Sequence, residues 1–149
     1  TPRQRIVLLT DVFPTVTSSN FALRAIHQAF GVGTVDLHAA PTTTSTLSTA
    51  TRLVPNFAEA AVSPYVTAAV GPLAAAVTAP GDFTALVAAA APAGTAGTTS
   101  VDPIAGSTVG GSVITAIAFP ASAANSAGTR FTAPGIVYYL DKQPPRTTP

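Results

Sequence analysis

The chain has 149 residues, seven Lys/Arg against six Asp/Glu, and 47% hydrophobic but only 9% charged residues. That length suits one domain with a real core, and an apolar content this high excludes a disordered chain. A net charge of +1 with no basic cluster excludes an electrostatic footprint for nucleic acid and a basic membrane-surface patch.

Short β-rich runs separated by Gly, Pro, Ser and Thr run along the chain. "RIVLLTDVF" (5–13) predicts a first strand, and "PTVTSSN" (14–20) a linker. "FALRAIH" (21–27) and "GTVDLHA" (33–39) predict strands around a turn marked by Gly31 and Gly33. By the period of two, Val35 and Leu37 face one way in the second of these, and Thr34, Asp36 and His38 the other. "PTTTSTLSTATR" (41–52) reads as a loop. "SPYVTAAV" (63–70), Gly71-Pro72 and "LAAAVTA" (73–79) read as a hairpin. In "DFTALVAAAA" (82–91) helix competes with strand, because alanine favours helix. Residues 93–111 read as connection with room for one short strand. "SVITAIAFP" (112–120) and "GIVYYLD" (135–141) are strands flanking a small-residue loop (121–130), and a Pro/Thr tail occupies 142–149. The expected fold is all-β: an immunoglobulin-like antiparallel β-sandwich over 21–141, with an extra N-terminal strand within 1–20.

Residues 60–81 carry no charge and are long enough to span a bilayer, but Pro64, Pro72 and Pro80 interrupt them. Two strands around a turn fit better than a membrane helix. The 5–13 run is apolar on both faces, with Ile6, Leu8 and Val12 on one and Val7, Leu9 and Phe13 on the other. Such a strand is covered on both sides. It is either the first strand of its own sandwich or a donor strand that completes the sheet of a neighbouring copy.

His27 and His38 are the only histidines, and Asp36 lies between them. A metal site needs a third ligand, which Asp11, Glu59, Asp82, Asp102 or Asp141 would have to supply from no recognisable spacing. No Gly-x-Ser-x-Gly elbow and no complete phosphate-loop motif occurs. The histidines therefore read as structural, His27 bonding beside a turn and Asp36 and His38 facing solvent or a partner. Tyr138 and Tyr139 read as core or interface packing. No metal, cofactor or catalytic residue is expected. Cysteine and methionine are absent, which removes thiol chemistry and suits an exposed extracellular protein. The start at Thr1 is expected of a mature secreted form.

Arg24-x-x-His27 followed by Val35-Asp36-Leu37-His38 resembles the opening of the bacterial domain-of-unknown-function family 4397 (DUF4397). Members of that family begin with an Arg-x-x-His strand, a short Pro/Asp turn and Val-Asp-Val-Tyr. The stretch around Ser63 and Tyr65 resembles the family's next hairpin, residues 105–119 its late Ala-Gly turn and strand, and "GIVYYLDKQPP" its closing strand. The similarity runs in order over residues 21–145. Phe30-Gly31-Val32-Gly33 replaces the Pro/Asp turn, and His38 stands where Tyr is usual. The resemblance implies a secreted or cell-surface β-sandwich, often a module of larger envelope proteins, with no established activity and no catalytic residues.

The function expected from these features is that of a non-enzymatic extracellular subunit of a pilus-like filament or surface layer. Its partner is a second copy, joined head to tail through Ile6, Val7, Leu8, Leu9, Val12 and Phe13. Burying four such side chains is worth roughly 6–12 kcal/mol before association costs. A monomeric binding or adhesion module, or an accessory subunit of an envelope complex, is the alternative. Thr42, Thr43, Thr44, Ser45 and Thr46 are candidates for O-glycosylation.

Overall fold

A computed structural model describes residues 8–121, 133–144 and 146. The strands are β1 (Asn20–His27), β2 (Val35–Ala40), β3 (Thr51–Phe57), β4 (Val66–Ala69), β5 (Ala74–Thr78), β6 (Ala85–Ala90), β7 (Val113–Phe119) and β8 (Gly135–Lys142). They form two four-stranded sheets, ordered β4-β1-β7-β8 and β3-β2-β5-β6. Five of the pairings are antiparallel, and β1–β7 is parallel. The protein is an all-β sandwich. Among the described residues no helix is long and apolar enough to cross a membrane.

Alternation along the strands builds the core between the sheets. Phe21, Leu23 and Ala25 of β1 and Ile114 and Ala116 of β7 meet Val35, Leu37, Ala75 and Val77 of the other sheet. Ile136 and Tyr138 of β8 pack against both groups. The alanine run is a strand, not a helix, because Ala85–Ala90 continues the sheet beside β5. Tertiary pairing overrides alanine's helix preference there.

Three other expectations change. Residues 8–13 form no strand, and Ile6 and Val7 lie outside the described residues; among the described residues nothing runs alongside 8–13 to complete a ladder. The hairpin across Gly71-Pro72 is instead a crossover. β4 pairs with β1 in one sheet and β5 with β2 in the other. The connection is held by Val70 N–H donating to the Ser19 carbonyl and Gly71 N–H to the Ser107 carbonyl. Finally, the Thr/Ser-rich stretch ends in strand β3, which carries Pro55 at an exposed position of an edge, where a missing N–H costs no ladder bond.

The loop before β3 folds back onto the outside of its own sheet. A 3-10 turn, Leu47–Thr49, inserts Leu47 against Ala40 and Ala76. At the opposite end of the chain's path, Gly110 passes so close to the Ser18 backbone that a β-carbon would overlap it.

Candidate functional site

The two histidines do not share a site. His27 ends β1, with its ring between the sheets and 5.7 Å from the Phe57 ring. His38 lies on β2, in the other sheet, and on its outer face. The Gly33 carbonyl can only accept, so His27 Nε2 donates to it at 2.8 Å, while Nδ1 accepts the Ala29 amide at 3.2 Å. Both ring nitrogens are thus committed to the turn that follows β1. Neither is free to bind a metal or move a proton.

Asp36 and His38 are buried rather than facing solvent, which corrects the expectation. Asp36 accepts the Asn56 amide at 2.7 Å through Oδ1 and the Gly81 amide at 2.9 Å through Oδ2, with Arg52 Nε 3.5 Å away. One carboxylate thereby fixes two bends, each in the left-handed backbone region that Asn and Gly tolerate (φ 50° and 75°). Burial works to raise the Asp36 pKa, but the Gly81 and Asn56 amides and the Arg52 charge together hold it below the usual value. His38 Nε2 donates to Thr78 Oγ1 at 3.2 Å, since that hydroxyl itself donates to the Ala79 carbonyl. Phe83 closes over the cluster, its ring edge-on to His38 at 6.0 Å with Arg52 stacked 5.8 Å from its centroid. Burial, then the Arg52 charge, lower the His38 pKa and so favour the neutral ring. This cluster is a structural clamp under an aromatic lid.

The outer face of the first sheet carries a second polar network. Arg24, buried in the middle of β1, donates through Nε to Thr115 Oγ1 on β7 at 2.9 Å and lies 4.6 Å over the Tyr65 ring. Its remaining charge meets Asp11 Oδ1 at 2.6 Å. Thr115 and Tyr65 hydroxyls both donate to Asp141 Oδ2 on β8. Burial raises the Tyr65 phenol above its ordinary value. No sequence reading singled out this network, although an arginine inside an apolar strand is a signal: a charge buried there requires a partner.

Asp11 belongs to the N-terminal arm, so Arg24 roots that arm on its own domain. Phe13 adds an edge-on contact with Tyr65 at 6.4 Å. On either side of this root the arm alternates: Leu9 and Phe13 are 39% and 40% exposed, whereas Leu8 and Val12 are 92% and 78% exposed. One side of the arm leans on the sheet, and the other is an uncovered apolar row.

The four sheet edges differ in how they are guarded. β3 carries Pro55, Arg52 and register irregularities; β4 has four residues; β6 has an irregularity opposite Val77/Thr78. β8 has eight residues, runs in regular register from Gly135 to Leu140, and exposes Val137, Tyr139 and Leu140. Among the described residues no strand pairs with its outer edge. Near the end of the sandwich an apolar cleft of about 260 Å³ opens among Val32, Val77, Leu86, Phe119 and Pro134, with His27 in its wall.

Of the residues weighed as metal ligands, Asp36 and His38 share one cluster while His27 lies elsewhere, and among the described residues no three His, Asp or Glu converge. The Thr/Ser run at 42–46 lies at the surface, with Thr42 and Ser45 hydroxyls 2.9 Å apart. No family model, no curated protein and no solved structure matches the chain.

Proposed function

We propose that the protein is a non-enzymatic structural subunit of the cell exterior that assembles head to tail. Its N-terminal arm adds as a strand to the sandwich of a neighbouring copy, building a pilus-like filament or surface layer. The arm itself carries this reading: in a single chain it is rooted at Asp11, its described residues 8–13 form no strand, and Leu8 and Val12 are bare. An exposed apolar row beside unpaired backbone is a template for strand addition. A charge near zero removes the repulsion that keeps monomers apart. The resemblance to the DUF4397 family supports the extracellular setting, and the surface position of Thr42–Thr46 suits O-glycans there.

Light scattering and negative-stain microscopy on the purified chain test the assembly. Growing particles that vanish on deletion of residues 1–10, with the β-sheet circular dichroism retained, are the expected result. A full-length chain that stays monomeric overturns the proposal. That outcome would favour a β-sandwich binding module or accessory subunit, whose site would be the apolar cleft beside His27.

A further inference from the structure

The assembly reading leaves open where the arm lands. Resting on that reading, we infer that the acceptor is the free edge of β8 in the next copy. There residues 5–10 pair antiparallel with residues 136–141, with Arg5 opposite Asp141.

β8 is the longest edge and keeps regular register over Gly135–Leu140, its one irregularity falling at Asp141; β4 is short, β6 is irregular near its start, and β3 carries Pro55 and two irregularities. The edge with the longest regular run is the one best able to accept a further strand. The arm's composition then selects one register. With Arg5 opposite Asp141, Val7 faces Tyr139 and Leu9 faces Val137 on the outer side, while Ile6 and Leu8 face Leu140 and Tyr138 on the side turned to the other sheet. Each apolar residue of 5–10 meets an apolar or aromatic partner, and the one cation of that stretch meets the one anion of β8. A one-residue slip sets Arg5 opposite Lys142 and reverses both faces. Asp141 suits the role, because Thr115 and Tyr65 both bond its Oδ2 and leave Oδ1 without a described partner.

The pairing is between copies. Asp11 is fixed to Arg24, and with that root in place Leu8, Leu9 and Thr10 pair with no strand of their own chain among the described residues. The six residues 5–10, just before Asp11, match the length of 136–141 on a neighbour.

The chain has no cysteine, so engineered pairs report without background. Chains with Val7→Cys are mixed with mass-tagged chains carrying either Tyr139→Cys on β8 or Leu86→Cys on the β6 edge, then oxidised. We expect the mixed disulfide dimer at least tenfold more abundant with Tyr139→Cys, and a roughly tenfold higher critical concentration of assembly for Arg5→Glu. Assembly that persists with crosslinking through Leu86, or with none through Tyr139, overturns the β8 acceptor while the assembly reading stands. Wild-type chains that do not assemble overturn the assembly reading itself.

Discussion

The Tyr138 hydroxyl on β8 donates to the Ala89 carbonyl on β6 at 2.7 Å, and it accepts the Ala75 amide at 3.1 Å. A single side chain thus crosses the sandwich and bridges two residues that are register partners in the opposite sheet. Tyr138→Phe keeps the ring but removes the bridge, leaving a buried amide and a carbonyl short of a partner. The expected loss is about 1–3 kcal/mol in urea unfolding, without loss of the fold.

The same hydroxyl contributes to the loss of stability at alkaline pH. Burial pushes its pKa up to about 12, against an ordinary value near 10. The folded state holds the proton longer than the unfolded one, so its contribution is complete below about pH 10 and is lost as pH rises toward 12. About 3 kcal/mol of stability should disappear over that window, and Tyr138→Phe should flatten the slope. Urea midpoints between pH 9 and 12 measure both.

On the acid side two groups act in the same direction. His38 has a lowered pKa, so the unfolded chain takes up its proton first, and stability falls as pH drops below about 6.5. Asp36, also lowered, adds a second decline as pH falls from its unfolded value through its folded one. His38→Phe should remove the first decline and leave the second, read as urea midpoints from pH 7 to 3. Asp36→Ala should cost about 2–4 kcal/mol at pH 7, because the Asn56 and Gly81 amides lose their acceptor.

Arg24 and Asp11 should respond unequally to removal. Asp11 is largely solvated, so Asp11→Ala should change stability by under about 1 kcal/mol. It should nevertheless free the arm, seen as faster proteolysis before Phe13. Arg24→Ala opens a hole among Thr115, Tyr65 and Asp141 and should cost about 2–3 kcal/mol.

Gly110 touches the Ser18 backbone too closely for a side chain. Gly110→Ala should destabilise by about 1–3 kcal/mol in thermal unfolding, while Gly71→Ala, with open space around it, should cost less.

Much of the fold is legible along the chain. Phe21, Leu23 and Ala25, or Val35 and Leu37, alternate because one face of each strand is buried, and that period survives in any sheet they join. What local pattern does not carry is the partner. The runs on either side of Gly71-Pro72 read as a hairpin, yet Val66 pairs with Leu23 and Ala74 with Ala40 in separate sheets. Thr51–Phe57 was hidden by Pro55, which an edge tolerates and a central strand does not.

The candidate sites divide along the same line. That His27 bonds a nearby turn follows from its place before Gly31 and Gly33, a contact spanning six residues. Asp36 and His38 alternate with core residues, so the sequence assigns them to the outer face, toward solvent or a partner. Burial of that face depends on Phe83, Arg52 and Leu47 arriving from other elements. The Arg24 network joins residues from 11 to 141. By itself the sequence determined an all-β chain of low charge with an apolar N-terminal run, because composition and alternation are local properties. Only the tertiary structure decided which outer faces close, where Arg24 finds its anion and which strands form the sheet edges, because those follow from strand order.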